Sequence, residues 1–271
     1  MRKLLFAAAA TLGLAVGYAA LAADEGPALQ RHDWSFYGIF GTFDRAAAQR
    51  GFQVYKDVCS NCHSLNLLAY RDLEAIGLTP AEVRAVAESV QVTDGPNDLG
   101  EMFQRAGKPS DHFKPPFPNE QAARVANNGA LPPDLSLIIK AREGGPDYVY
   151  AILTGFKEPP AGFKMTQGMN YNEAFPGHQI AMPPPLSEGV VTYSDGTKAS
   201  VPQMAHDVVT YADGTKATVP QMAHDVVTFL AWAANPELET RHRVGVKAIL
   251  FLIVLTGLFY AVKRKVWADV H

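Results

Sequence analysis

DVCSNCHSL, residues 57–65, holds both cysteines of this 271-residue chain and a histidine directly after the second one. Cys59, Cys62 and His63 therefore form a C-x-x-C-H motif. Three kinds of chemistry use closely spaced residues of these types. They are a redox disulfide, part of a metal site, and covalent attachment of a c-type haem.

The rest of the sequence favours haem attachment. A thioredoxin-like redox motif needs a βαβ setting, which the residues around the motif do not predict. A structural zinc site takes four protein ligands, and the chain has no second cysteine pair to complete it. A simple disulfide between Cys59 and Cys62 would leave His63 unexplained. Haem attachment uses all three residues, because the thiols join the haem vinyl groups and the adjacent imidazole ligates the iron.

The second iron ligand must come from elsewhere, and we predict that it is Met182. This residue lies in the segment IAMPPP, where three successive prolines restrict the backbone. A thioether ligand also raises the potential of a haem. Met204 and Met222 share one repeated context, so neither suits a unique role. His178 is the less favoured alternative.

An apolar segment at the N-terminus indicates export. Arg2 and Lys3 precede an alanine-rich apolar run over residues 4–21 that ends in small residues. This pattern is typical of a secretory signal peptide covering residues 1–22, with cleavage after Ala22 or Ala23. A retained N-terminal anchor is the alternative.

A second apolar segment, residues 244–262, is broken only by Lys247 and Thr256. Its length suits a membrane-spanning helix, and Lys247 lies close enough to one end to reach the headgroups. A buried amphipathic helix is the alternative, but the segment lacks a polar face. Together with export, the span places a domain of residues 23–240 in the periplasm of a bacterial inner membrane. The anchor and a short cytoplasmic tail then occupy residues 241–271.

The exported domain is acidic, with 16 basic and 26 acidic residues between positions 23 and 240. A negative field attracts a positively charged soluble partner and repels nucleic acid. The same excess of carboxylates can also serve solubility alone, and the sequence does not separate these two interpretations.

Helical patterns are short and separated by loops rich in proline and glycine. After an aromatic arm at residues 32–43, Asp44 is a candidate N-cap for the helix that leads to Cys59. Thr79 with Glu82 forms a candidate capping box, and aspartates open two further segments. The predicted helices cover residues 44–58, 79–90, 134–141, 147–153 and 226–234, and the segment 93–133 is predicted to be mainly loop.

A tandem repeat of 18 residues follows the ligand segment. Residues 190–207 and 208–225 differ only where Ser194 and Ser200 are replaced by Ala212 and Thr218. Each copy predicts a hairpin around an Asp-Gly turn, followed by a helix start. We interpret the duplication as a tolerated surface insertion.

Several longer motifs carry a specific resemblance. The segments CHSL at 62–65, YRDL at 70–73, ANNGALPPDLS at 126–136 and Met182-Pro183, with the C-terminal anchor, resemble the cytochrome c1 family, the haem subunits of the cytochrome bc1 complex. The resemblance extends from about His32 to Trp267. Two features depart from the family pattern: the hairpin is duplicated, and no cysteine remains for the additional disulfide of some bacterial members.

The resemblance implies a mainly α fold of the c-type cytochrome kind, with long loops, a β-hairpin insertion and one C-terminal transmembrane helix. It implies one covalently bound haem c, with His63 and Met182 as iron ligands. It also implies that Arg142 and Tyr148 contact a haem propionate, which suits a guanidinium and a phenol. The residues implied to line the pocket are Asn127, Pro133, Ile138, Phe175 and Ile180.

The resemblance also implies a function and partners. The chain would accept electrons from a Rieske iron–sulfur protein and pass them to a basic cytochrome c, either soluble or tethered to the membrane. Its other partners would be cytochrome b and membrane lipid, in a dimeric complex, and it would do no catalytic chemistry of its own. The residues also allow a membrane cytochrome serving another dehydrogenase or oxidase, or an exported thiol–disulfide oxidoreductase.

Overall fold

The computed structural model describes residues 29–187, 190–191 and 218–268. These residues form a mainly helical domain with long connections, followed by one long apolar helix, and the predicted fold class is confirmed. The helices are α1 Arg45–Asp57, α2 Pro80–Glu88, α3 Glu120–Ala126, α4 Ile138–Ala141, α5 Gly145–Thr154, α6 Val219–Ala234 and α7 Leu238–Val266. Short 3-10 turns cover Cys59–Asn61, Tyr70–Ile76 and Pro176–His178.

Two small antiparallel hairpins accompany the helices. β1 (Gln91–Asp94) pairs with β2 (Phe103–Ala106), and β3 (Asn170–Tyr171) pairs with β4 (Gln179–Ile180). α3, β2 and the end of β1 lie inside the segment 93–133 that was predicted to be mainly loop, so that prediction missed them. Most of the tandem repeat, where the hairpin insertion was predicted, lies outside the described residues, as does the predicted signal peptide.

The centre of the domain is the contact between α1 and α6. Gly51 makes a close approach possible, because a Cβ at this position would lie 2.0 Å from the carbonyl oxygen of Asp225. Around this crossing, the rings of Phe52 and Tyr55 pack on Phe229, with centroids 5.6 and 5.9 Å apart. Aromatic packing of this kind contributes beyond simple burial of apolar area.

A buried ion pair joins the same two helices. Arg50 donates from Nε and Nη2 to the two carboxylate oxygens of Asp225, at 2.9 and 3.1 Å. Gln221 donates a further hydrogen bond from Nε2 to Oδ1 at 2.9 Å. The Asp225 side chain is fully buried, so these donors replace the water that the carboxylate loses.

Two predicted helix starts are confirmed. The side chain of Asp44 accepts a hydrogen bond from the backbone N–H of Ala47 at 3.0 Å, as an N-cap does. Thr79 and Glu82 form the reciprocal bonds of a capping box at the start of α2. Both helices end within a few residues of their predicted limits.

Three other predicted helix starts were wrong. Asp134 does not cap a helix, because α4 begins only at Ile138. Asp147 lies inside the first turn of α5, which begins at Gly145, and its carboxylate accepts a hydrogen bond from the Trp34 indole at 2.7 Å. The third helix, α6, begins at Val219 instead of residue 226. In each case, hydrogen bonds and packing of the folded chain override the local sequence signal.

The aromatic arm is only partly buried. Trp34, Phe36 and Phe43 pack in the core, and the Trp34 ring stacks on His224 with centroids 5.0 Å apart. Tyr37 and Phe40 are exposed. The arm therefore has an inner side that is buried in the core and an outer side that is exposed.

α7 is the one helix in the described part of the chain that is long and apolar enough to cross a membrane. It has 29 residues, and none of them is buried. Basic residues occupy its last turn, with Lys263, Arg264 and Lys265. The structure therefore has a candidate span where the sequence predicts one.

Candidate functional site

The C-x-x-C-H motif folds into a single tight turn. α1 ends at Asp57, and the chain continues into the 3-10 turn that begins at Cys59. The backbone N–H groups of Cys62 and His63 both donate to the carbonyl oxygen of Cys59, at 3.1 and 2.8 Å. Both thiols and the imidazole therefore leave the backbone within one turn, at the end of a helix that is held in the core.

The imidazole of His63 has a defined orientation. Its Nδ1 lies 2.8 Å from the carbonyl oxygen of Pro133. A carbonyl oxygen only accepts, so Nδ1 carries the proton and donates, and Nε2 presents a lone pair for a metal. Burial of the ring lowers the pKa of His63, against the opposite effect of the Pro133 carbonyl, and this favours the neutral ligand form. This side chain fits a proximal haem ligand.

Asp134 connects the motif to the segment that orients the imidazole. Its carboxylate accepts hydrogen bonds from the Ser64 hydroxyl, the Asn66 backbone and the Ser136 backbone, each at 2.8 Å. Burial alone would raise the pKa of Asp134, but these hydrogen bonds lower it below its ordinary value. The backbone N–H of Leu135 also donates to the Ser64 carbonyl oxygen at 2.9 Å. Pro133 is therefore held at a fixed distance from His63.

The thiols do not suit redox exchange. Burial, and then the neighbouring Cys62 sulfur, raises the pKa of Cys59 to about 12. Reactive cysteines instead have a lowered pKa, because the thiolate is the attacking species. The pair therefore fits tethering better than disulfide exchange.

The segment with Met182 is held by the second hairpin. Asn170 pairs with Ile180 across β3 and β4, and its side-chain amide donates to the Met182 carbonyl oxygen at 3.3 Å. Met182 itself is half-buried, and three prolines follow it. Within the described residues, no hydrogen bond joins this segment to the C-x-x-C-H turn. The ligand role of Met182 therefore stays a prediction.

His178, the less favoured ligand candidate, has a different environment. Its backbone has a φ of 58°, which is uncommon for a residue other than glycine. Its ring stacks on Tyr171 with centroids 5.8 Å apart. It lies at the end of the turn that leads into β4, so its ring is engaged within the hairpin.

The other predicted site residues lie on several elements. Ile138 is buried at the start of α4, and Asn127 follows α3, where its side-chain amide donates to the Ala123 carbonyl oxygen at 2.7 Å. Arg142 is exposed directly after α4, and Tyr148 is half-buried on α5. Since α4 and α5 pack on each other, these two residues belong to one part of the domain.

Phe175 and Ile180 bracket the turn before the Met182 segment, and both are half-buried. Of the predicted residues, the structure brings His63 and Pro133 into direct contact. It places Phe175, Ile180 and Met182 together on one continuous segment. Their roles toward a haem remain predictions.

Sequence analysis missed two residues that hold the backbone around His63 in place, Tyr55 and Asp134. The Tyr55 hydroxyl donates to the His63 carbonyl oxygen at 3.1 Å, and Asp134 accepts from Ser64 and Asn66, which follow the motif. Asp134 was read as a helix start because an aspartate before an apolar run is a common cap. Ser64 and Asp134 both lie in motifs that carry the family resemblance. They are 70 residues apart in the sequence, so no local pattern predicts that they contact each other.

Comparison with known proteins agrees with this geometry. The Cytochrome C1 family matches residues 34–211 and 207–270, two segments that meet inside the tandem repeat. Cytochrome c1 of Rhodospirillum rubrum is 43% identical over an alignment of 278 positions, gaps included. The alignment covers 97% of this chain and 96% of that protein. A protein of Schizosaccharomyces pombe named cytochrome c1, heme protein, mitochondrial, is 46% identical and matches 91% of this chain and 75% of its own length.

A longer relative is the cytochrome b/c1 protein of Bradyrhizobium diazoefficiens. It is 46% identical over 260 residues, which cover 88% of this chain, and the chain spans only 35% of that protein. Both the family match and the full-length relatives extend through the C-x-x-C-H turn and the long C-terminal helix. The chain belongs to the cytochrome c1 family.

Proposed function

We propose that this chain is a membrane-anchored monohaem c-type cytochrome that carries electrons within the cytochrome bc1 complex. It takes one electron at a time from the Rieske iron–sulfur protein and passes it to a soluble or tethered cytochrome c. The observation that carries the proposal is the C-x-x-C-H turn, in which His63 donates from Nδ1 to Pro133 and keeps Nε2 for iron. Membership in the cytochrome c1 family supports it.

Bound haem c, which is characteristic of this family, supplies an iron centre for one-electron transfer. The chain itself binds and orients the cofactor. Cys59 and Cys62 would tether it through thioether bonds, and His63 and Met182 would ligate the iron. Tyr55 and Asp134 hold the backbone around His63. The Tyr55 hydroxyl, on α1, donates to the His63 carbonyl oxygen, and Asp134 links the residues after the motif to the segment that contains Pro133.

The remaining pocket residues are assigned by the same proposal. Arg142 and Tyr148 would hold a haem propionate, since the guanidinium lies at an exposed position and the phenol lies on the adjacent helix. The five residues proposed to line the apolar part of the pocket and its edge are Asn127, Pro133, Ile138, Phe175 and Ile180.

The membrane assignment rests on α7. Its 29 residues exceed the roughly 20 that cross a bilayer, and none of them is buried in the described domain. We propose that residues 1–22 are a signal peptide and that residues 23–240 form the haem domain in the periplasm of a bacterial inner membrane. Residues 241–271 then form the anchor and a short cytoplasmic tail. The basic residues Lys263, Arg264 and Lys265 suit the cytoplasmic side.

The first experiment is the reduced-minus-oxidised visible spectrum and the redox titration of the purified full-length protein and its Met182→Leu variant. We expect c-type bands in the parent. In the variant we expect a potential lower by an amount on the order of hundreds of millivolts, within the ~0.8 V range that axial ligands control. Met102→Leu is the matched control, because Met102 is exposed on a distant hairpin, and its potential is expected to be unchanged.

Two outcomes would contradict parts of this assignment. A parent protein without haem bands would end the cytochrome proposal and leave Cys59 and Cys62 as thiols. Haem bands with the same potential in both Met182→Leu and parent protein would keep the haem but assign the sixth ligand to another residue.

The proposed partners can be tested separately. Cytochrome b and the Rieske protein are expected to co-purify with the full-length chain in a dimeric complex. A haem-loaded chain that co-purifies instead with a dehydrogenase or a terminal oxidase would favour the alternative membrane cytochrome.

The acidic domain supports a basic cytochrome c as the electron acceptor. With 16 basic and 26 acidic residues between positions 23 and 240, the domain attracts cations over distances set by ionic strength. Electron transfer to a basic cytochrome c is expected to slow as salt rises. A rate that is independent of salt would leave the acidic residues with a role in solubility only.

A further inference from the structure

The outer side of the aromatic arm forms a tight apolar loop, residues 37–41. Two backbone hydrogen bonds close it: Gly41 N–H donates to the Gly38 carbonyl oxygen at 3.2 Å, and Thr42 N–H donates to that of Ser35 at 3.0 Å. Ile39 and Phe40 therefore occupy the two central positions of the turn. Turn centres usually carry glycine, proline or polar residues, so two large apolar side chains there are unusual.

These two side chains have no partner in the described domain. Ile39 is 68% exposed and Phe40 is 76% exposed. Scattered exposed apolar residues are ordinary on a protein surface, but two adjacent ones at the tip of a closed loop form a projecting apolar point. No charged side chain occurs between Trp34 and Phe43.

The core holds the base of the 37–41 loop rigidly. Phe36 and Phe43 are buried, and their rings pack with centroids 5.2 Å apart. Trp34 packs on Phe36 with centroids 5.6 Å apart, and its indole is fixed by Asp147. The tip is therefore presented by a fixed support and cannot fold back to bury itself.

The loop runs along the first turns of α7. The backbone N–H of Phe43 donates to the Glu239 carboxylate at 2.9 Å. Two residues earlier in the loop, the Gly41 carbonyl oxygen accepts from Nδ1 of His242 at 3.1 Å. From Glu239 to His242 the helix rises by about 4.5 Å at ~1.5 Å per residue. The chain from Phe43 back to Gly41 thus advances toward Val244, where the apolar span begins.

We propose that the 37–41 loop is a second membrane contact, in which Ile39 and Phe40 enter the lipid headgroup region beside α7. Aromatic and aliphatic side chains at the edge of a span favour this region. Arg241, Arg243 and Lys247 lie in the first turns of α7, beside the contact between Gly41 and His242, and long basic side chains at the edge of a span can reach the lipid phosphates. This charge match, and the uncharged tip, favour lipid over a second protein subunit as the occupant.

The contact would restrict how the haem domain tilts on its anchor. A single helix leaves a domain free to pivot, whereas a second attachment point on the same rigid body removes part of that freedom. The inference rests on the proposed membrane anchoring by α7.

A site-directed spin label tests the proposal. Cys59 and Cys62 are consumed by haem in the proposed function, so a cysteine introduced by Phe40→Cys is the single reactive thiol of this chain. The full-length, haem-loaded protein is purified with the subunits that accompany it and reconstituted in bilayers containing anionic phospholipid. We expect a severalfold higher ratio of oxygen accessibility to nickel-chelate accessibility at position 40 than at an aqueous control.

Two reference sites make the result decisive. Leu99→Cys reports the aqueous side, since Leu99 is 83% exposed on the β1–β2 hairpin, and Leu252→Cys reports the bilayer if α7 spans it. A nickel-accessible label at position 40, with an oxygen-accessible label at 252, would overturn the lipid contact alone. A label at 40 that neither reagent reaches would also overturn it and assign the tip to a protein neighbour.

Failure of the proposed function gives a different pattern. A nickel-accessible label at position 252 would mean that α7 does not span the membrane. A label on Cys59 or Cys62 of the unsubstituted chain would mean that these cysteines are not held by haem.

Discussion

α6 and α7 follow each other in the chain and are both apolar, yet they have opposite surroundings. In α6, 11 of 16 residues are buried, and in α7 none of 29 is. α6 packs across α1, where Gly51 lets the two backbones approach closely. α7 leaves the domain after its first turn, which Arg45 holds through the Glu239 carboxylate at 2.9 Å.

The difference shows that apolar composition alone does not decide where a helix lies. α6 carries polar groups that need specific partners, such as Asp225, and its aromatic residues match rings on α1. In α7 the apolar residues from Ile249 to Val254 are exposed, and a lipid environment would satisfy such residues without specific packing. Substitutions should therefore cost stability in α6 and leave the haem domain unaffected in α7.

The largest effect is expected from Trp232→Ala. Trp232 is fully buried on α6, and replacing a buried tryptophan by alanine costs about 3–5 kcal/mol of unfolding free energy because it leaves a cavity. The measurement is urea unfolding of the haem domain in the detergent-solubilised full-length protein.

Phe251→Ala in α7 is the matched control for this change. Phe251 is exposed, so its replacement should leave the unfolding free energy of the haem domain unchanged. Equal losses for the two variants would contradict the contrast between the helices.

A smaller loss is expected from Asp225→Asn. The amide oxygen can still accept a hydrogen bond from Arg50 but carries no charge, so the ion pair is lost, and removing one partner of a fully buried pair costs about 3–5 kcal/mol. We place this variant below Trp232→Ala because Arg50 is partly exposed and water can reach it. Asp98→Asn, in an exposed loop, is the control.

The same variant should change the pH dependence of stability. Burial raises the pKa of Asp225, but hydrogen bonds from His224, Arg50 and Gln221 outweigh it, so the folded pKa lies below the ordinary value. The stabilisation is therefore present above the unfolded pKa of about 3.9 and is lost as pH falls through the folded value. The difference between parent and variant should shrink in acid, and a constant difference would contradict the ionised carboxylate.

The smallest effect is expected from deleting residues 190–207. The second copy remains after this deletion and supplies the N-cap Thr218 and the start of α6 at Val219. Its sequence differs from that of the deleted copy at only two positions. The unfolding free energy should change by no more than about 0.5 kcal/mol, as for surface changes in general. Loss of complex assembly on this deletion would show that the duplication has a function.

Local signals succeeded where the interaction that they describe is itself local. The caps at Asp44 and Thr79 bond to residues three positions away, so sequence alone predicts them. The motif at Cys59, Cys62 and His63 is local in the same sense, and it led to the confirmed family.

The same signals failed where a distant partner takes the side chain. Asp134 bonds to Ser64, and Asp147 bonds to Trp34, so neither is available as a helix cap. The β1–β2 hairpin is held partly by Arg105, which contacts both Asp94 and Asp111, and no short sequence pattern announces that network. α6 begins earlier than expected because Met222 and Ala223 find buried positions against the domain.

The sequence by itself determined the haem-attachment motif, the apolar C-terminal helix and the membership in the cytochrome c1 family, since each depends on residue types at fixed spacing. Only the tertiary structure decided which nitrogen of His63 donates to the backbone and which side of the aromatic arm is exposed. Both depend on contacts between residues far apart in the chain, Pro133 with His63 and His242 with Gly41. Such contacts follow from the packing of the whole domain, which no local pattern contains.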